Sequence, residues 1–331
     1  RFLICLFSFL FIGCSIAGGA VLLSNSYISD NTGGGGSSND ENNVEQNAPT
    51  NTDLWTASGN YASAFDNEGE AGIDGTTEEK AYEIRTAEQL ALLAYRINTS
   101  STNSTYKSLY YVQTADIDLS LHYWDAIGTS SYYFSGHYDG GNFTISGLYT
   151  QAGSSSTYSY QGLFGYVGGQ SKIDKAIIKN LGIIDSNIQG YQYVGGVVGE
   201  AYYSTVTNCY NTGDVTAGSN YVGGVVGYAA SSSTITNCYN TGAVTGVGYV
   251  GGVIGDASST VTNCYNTGVV TGNSSYVGGV IGDASSTVTN CYNTGNITGG
   301  SSVGGVVGYV YYGAEVTNCY NTGAVDGDSY T

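Results

Sequence analysis

Val194–Gly199 reads VGGVVG, and Thr205–Gly213 reads TVTNCYNTG. Near-copies of this pair recur in Tyr193–Gly218, Tyr221–Gly246, Tyr249–Gly272, Tyr276–Gly299 and Val303–Gly327. The valine that opens each copy stands at 194, 222, 250, 277 and 303, so the period is 28, 28, 27 and 26 residues. A fixed period of this size is the signature of a solenoid, in which each unit buries its apolar face only against its neighbours. Each period offers three strand-like pieces: the VGGVVG box, the T-V-T-N-C run, and an aliphatic residue before the closing Thr-Gly. Three strands per period fit one turn of a parallel β-helix with rungs ~4.8 Å apart; two thin rungs per repeat is the alternative. Glycines at the corners permit positive φ and close backbone approach. Length differences fall in spacers such as Ala229–Ser233 against Ala257–Ser259, which should be outward loops. The expected fold class is all-β: a right-handed parallel β-helix with a short N-terminal capping helix.

Three columns of side chains follow from stacking the copies. Cys209, Cys238, Cys264, Cys291 and Cys319 occupy one slot. Parallel side chains one above another have poor disulfide geometry. In a degenerate earlier rung, Ile178–Leu181 aligns with Val206–Cys209, so Leu181 fills the cysteine slot. A slot that accepts Leu is apolar and buried, and a free Cys behaves there as a small hydrophobe. The repeats contain no His, which argues against zinc. The neighbouring Asn208, Asn237, Asn263, Asn290 and Asn318 should form an amide ladder at a bend. Tyr210, Tyr239, Tyr265, Tyr292 and Tyr320 should point outward as a stacked aromatic stripe, either stabilising the stack or offering a contact surface.

Outside the array, the composition narrows the partners. The 331 residues include 51 Gly, one Pro and no Met, with a net charge of −18. All eight Lys and Arg lie at or before Lys179, so no basic stripe exists for nucleic acid or an anionic membrane surface. Residues 1–23 are apolar behind Arg1 and read as a signal peptide or membrane anchor, with cleavage after Ala17 or Ala20. Phe11-Ile12-Gly13-Cys14 resembles a lipoprotein box, in which Cys14 would be lipidated. Residues 24–75 read as a flexible linker, rich in Gly, Ser and Asn over Asn31–Thr52. Residues 76–109 form an N-terminal cap: Thr86 and Gln89 make a capping box, and Leu90, Leu92, Leu93 and Ile97 continue a helix over Ala87–Ile97. Strands are expected at Tyr82–Ile84, Tyr110–Val112, Ile117–Leu119, Ala126–Ile127 and Phe143–Ile145, with a turn at Asp139–Asn142. The solenoid occupies 110–331, and Tyr330-Thr331 stands where a further copy would begin. Both ends are expected to be truncations.

The runs Ala81–Ala94, Asp116–Ser120, Trp124–Thr129 and Phe134–Leu148 resemble the lead-in of bacterial surface proteins that carry GLUG repeats. Gly162–Gly165 (GLFG) and the five VGGVVG or VGGVIG boxes are similar to the GLUG motif itself. The resemblance implies an exported, adhesin-like protein. It also extends to the flanking regions of some immunoglobulin-cleaving metallopeptidases, and it supplies no catalytic residue.

The residues themselves add no chemistry. Asp256 and Asp283 stand in two of five equivalent slots, too few for the carboxylate-rich period of calcium-binding repeats. His137 and Asp139 sit together in a turn, where a structural role is expected. No HExxH or nucleophile box is present. Thr205/Thr207, Thr234/Thr236, Thr260/Thr262 and Thr287/Thr289 form outward T-x-T pairs, a pattern compatible with ice binding or simply with strand propensity. The expected function is therefore non-enzymatic and cofactor-free: a cell-surface scaffold or adhesin contacting a protein or glycan of a host or neighbouring cell. The alternatives are the non-catalytic part of a larger secreted peptidase or glycan-active enzyme, and ice binding.

Overall fold

The computed structural model describes residues 48–230, 232–311 and 313–329, all within one compact unit. The apolar N-terminal segment, Cys14 and residues 24–47 lie outside the described residues. Among the described residues, no helix is long and apolar enough to cross a membrane.

The chain winds into a parallel β-solenoid with three sheet faces. The first face stacks the T-V-T pieces, running Tyr82–Ile84, Tyr110–Gln113, His137–Asp139, Ala176–Ile184, Ser204–Asn211, Thr234–Thr236, Thr260–Thr262, Val288–Thr289 and Val316–Thr317. The second face stacks the latter half of each VGGVVG box, from Phe164–Gly168 through Val198–Tyr202 to Val307–Val310. The third combines the Val-Thr-Gly ends with the Val-Gly starts of the boxes, and Ile297–Gly304 spans both halves in one strand.

Register settles how many rungs one repeat makes. Tyr210 lies opposite Tyr239, Val222 opposite Val250, and Val226 opposite Ile254. Each residue meets its own equivalent one repeat away, so one repeat is one rung. Inward Val, Ile and Cys from all three faces form a continuous core that runs from Trp55 to Val303. Alternation places them there: Thr205, Val206 and Thr207 read half-exposed, buried, half-exposed. On the last described rung Val310 and Val316 are exposed.

The N-terminal part follows the expected order with three differences, the first being that His137–Asp139, expected in a turn, is a strand paired on both sides. The helix (Ala87–Asn98) starts at the Thr86–Gln89 capping box and buries Leu90, Leu92, Leu93 and Ile97 in the same core as the rungs. Ala126-Ile127 does not form a strand; Ile127 makes only an isolated bridge to Phe164. Residues 48–75, expected as linker, instead pack on the body. Trp55 and Phe65 are each 3% exposed, and the Trp55 indole N–H donates to the Leu119 carbonyl at 3.0 Å. Two buried aromatics supply the apolar area that the Gly/Ser/Asn-rich segment before them lacks.

Candidate functional site

The cysteine slot is core. Cys209, Cys238, Cys264 and Cys291 are buried free thiols, and Cys209 lies directly opposite Leu181, itself 1% exposed. Each Sγ sits 3.1–3.4 Å from the carbonyl two residues back, a weak donor contact that keeps the thiol satisfied. Burial, reinforced by Cys238, pushes the Cys209 thiol well above its ordinary pKa. Shut off from solvent, these four thiols serve as small core side chains.

Two asparagine ladders flank this slot. The outer one is the column at Asn208, Asn237, Asn263, Asn290 and Asn318, all with φ between 53° and 56°. Four of them donate Nδ2 to the rung before: Asn290 to Asn263, Asn263 to Asn237, Asn237 to Asn208 and Asn208 to Asn180, at 3.0–3.1 Å. Asn180 in turn donates to the Asp139 carboxylate at 2.9 Å. Asp139 thus terminates a chain of amides that all point the same way.

The inner ladder, Asn211, Asn240, Asn266, Asn293 and Asn321, was not read from the sequence. The first four are fully buried. Here Nδ2 donates in the opposite direction, to the following rung's Oδ1 at 2.8–2.9 Å, and also to the Gly carbonyl two residues on at 2.6–2.8 Å. The signal for it was the Asn-x-Gly spacing, which makes an Asx turn, together with alternation inward from Cys209. The same side chain explains the second glycine of each box. A Cβ on Gly252 would lie 2.3 Å from Asn266 Cγ and 2.2 Å from the Gly279 carbonyl. The two repeated motifs therefore require each other across the rung.

Tyrosine forms two columns. Tyr210, Tyr239, Tyr265, Tyr292 and Tyr320 stack with centroids 4.8–5.1 Å apart and planes within 4°. The column ends over Gly182, where any Cβ would meet the Tyr210 ring at 2.3 Å. A second column, Tyr160, Tyr193, Tyr221 and Tyr249, stacks at 4.8–4.9 Å on the corner before the boxes. Beside it on the second face lies a register column of Tyr166, Glu200, Tyr228, Asp256, Asp283 and Tyr309. Burial among these rings raises Glu200 to about 7, and burial plus the Asp283 charge raises Asp256 to about 7. This face is a strip of tyrosine with carboxyl groups set into it.

Two clefts open at the N-terminal end. One, of about 480 Å³, is lined by Glu78, Tyr110, His137, Asp139 and Lys179. Its polar groups are already paired: Lys179 Nζ holds Glu78 at 2.8 Å and Asp139 at 3.1 Å, and the His137 ring packs on Tyr110 at 4.1 Å. Burial pushes the His137 pKa below its ordinary value. Asp139 is held by Lys179, Asn180 and the Gly141 N–H rather than by His137, so the two side chains do not form a hydrogen-bonded acid–base couple. The second cleft, of about 540 Å³, is lined by Lys107, Ser130, Tyr133, Tyr166, Gln170 and the Tyr202-Tyr203 pair. It continues the tyrosine strip. The T-x-T rows are also in register, Thr205 with Thr234 and Thr260, and the Lys175 ammonium lies on the Thr234 hydroxyl at 3.1 Å. Among the described residues, no group of three or more His, Cys, Asp or Glu could hold a metal ion.

The fold and its side-chain ladders define a parallel β-solenoid of stacked, repeating rungs. The GLUG motif matches three stretches of the array, residues 190–216, 218–245 and 299–326. Among solved structures, a Bacteroides ovatus protein described as a candidate immunoglobulin A1 protease is similar, with a TM-score of 0.59 and 24% identity over 77% of this chain and 79% of that one. A comparison with curated proteins finds no significant match.

Proposed function

We propose that this chain is a non-enzymatic, exported cell-surface scaffold of adhesin type, whose GLUG solenoid presents tyrosine to a glycan or protein of a host or neighbouring cell. The observation that carries this reading is the pair of tyrosine columns running across successive rungs, one rimmed by carboxyl groups. Stacked phenol faces with hydroxyl edges offer apolar contact and hydrogen bonding at low entropy cost. The Asp139 carboxylate is already taken up by Lys179 and Asn180, which supports a structural role rather than catalysis. The test is adhesion of the full chain to glycan- and protein-coated surfaces, with Tyr239→Ala/Tyr265→Ala as the control. Adhesion that falls at least tenfold in the double variant supports the proposal; unchanged adhesion, or none by the wild type, sinks it.

A second reading rests on the Bacteroides ovatus neighbour: the solenoid would be the non-catalytic, substrate-holding part of a larger secreted peptidase. It predicts that the full chain captures immunoglobulin A1 without cleaving it. Failure of capture in a pull-down removes that reading.

A further inference from the structure

The larger cleft differs from the rest of the surface in where its charge lies. Its walls come from four places in the chain: Lys107 after the short helix Asn103–Tyr106, the loop Ser130–Tyr133, the strand end Gly168–Gln170, and Tyr202-Tyr203. The loop is anchored, because the Ser135 N–H donates to the Lys107 carbonyl at 2.7 Å.

Bare backbone floors the cleft between two rings. A Cβ on Gly168 would come 3.3 Å from both Tyr133 Cδ2 and Tyr166 Cε1, and those rings stand 6.2 Å apart at 52°. On the other side, Tyr202 and Tyr203 pack at 4.1 Å. Tyr203 adopts φ 46°, a conformation unfavourable for a bulky residue, at a corner where the next rung carries Ser232. The chain thus turns a ring into the cleft where a small polar residue serves elsewhere.

Lys107 is the cation of this cleft. Lys80, Arg85, Arg96 and Lys179 all hold carboxylates within 4 Å, whereas Lys107, like Lys172 and Lys175, has no ion-pair partner among the described residues, and of these three Lys107 alone lines the cleft. Its Nζ instead lies 4.6 Å from the Tyr133 ring centre. That position keeps the ammonium at the cleft wall and leaves its donors free for an anion. A cavity of about 540 Å³ with aromatic walls and a few convergent polar groups has the form of a small-molecule site.

We propose that this cleft binds a single pyranose ring bearing a carboxylate: an acidic sugar. The tyrosine faces cover the apolar C–H face of the ring, Ser130 and Gln170 hydrogen-bond its hydroxyls, and Lys107 takes the carboxylate. The inference deepens the glycan arm of the proposed function and rests on it.

Sodium glucuronate and glucose, titrated into the full chain by saturation-transfer NMR, test the proposal. Glucuronate should bind at least tenfold tighter than glucose. Lys107→Gln should erase that preference, Lys107→Arg should restore most of it, and Tyr133→Ala should weaken both sugars. Lys107 is part-exposed, so the Gln variant should keep the wild-type circular dichroism spectrum, which is recorded alongside. Absence of glucuronate binding, equal binding of the two sugars, or a preference that survives Lys107→Gln overturns the inference. Adhesion lost only in Tyr239→Ala/Tyr265→Ala reports on the exposed column, so failure of the cleft and failure of the surface reading are separable.

Discussion

Asn266→Ala tests whether the buried amide ladder, rather than apolar packing alone, holds one rung on the next. In the wild type, Asn266 Nδ2 donates to Asn293 Oδ1 at 2.9 Å and to the Gly268 carbonyl at 2.8 Å. Its Oδ1 accepts from Asn240 Nδ2 at 2.9 Å and from the Gly268 N–H at 3.2 Å. Alanine deletes all four bonds. Asn240 and Asn293 keep their own-rung partners, Gly242 and Gly295, and so lose only part of their bonding. Gly268 loses this partner at both its N–H and its C=O in a buried position. At roughly 1–3 kcal/mol for each of these two buried groups left unpaired, the cost should be about 2–6 kcal/mol. The control is Asn263→Gly in the exposed ladder, which loses two amide bonds but leaves their partners to water and relieves the left-handed φ of 56°. It should cost less than about 1 kcal/mol. Urea unfolding gives both values, and hydrogen exchange shows whether loss is local to the rungs on either side, as a one-dimensional stack requires. If Asn266→Ala costs no more than Asn263→Gly, the inner ladder does not hold the rungs together.

Two further outcomes follow from the core and the acid column. Cys264→Val should cost less than about 1.5 kcal/mol, since Leu181 already fills the equivalent slot, and in native protein Ellman's reagent should reach Cys319 before Cys209, Cys238 or Cys264; early labelling of Cys238 would contradict the assignment of the slot as core. Asp256, raised to about 7 from 3.8, holds its proton more tightly folded than unfolded, so its contribution to stability is complete below about pH 4 and lost as pH rises through 7. The stability difference between wild type and Asp256→Asn should shift by on the order of 2 kcal/mol between pH 4.5 and 8; a difference that stays flat with pH refutes the burial of this carboxyl.

The chain by itself determined the solenoid, because a repeated period commits every copy to the same environment. Leu181 in the cysteine slot was enough to identify that slot as core, since chemistry that needs a thiol cannot accept an aliphatic side chain. The Thr86–Gln89 capping box located the helix start, because its two hydrogen bonds are local. What depends on residues far apart in sequence was decided only by folding. Trp55 and Phe65 were hidden behind a Gly/Ser/Asn-rich segment, and only their packing against the body shows that 48–75 is ordered. The inner asparagines looked like ordinary turn residues until the box glycines were seen to make room for them. The larger cleft joins Lys107, Tyr133, Gly168 and Tyr203, four positions that no period relates. A repeat specifies what is the same in every rung; the cleft lies where the early rungs depart from that sameness, and tertiary contact alone brings those departures together.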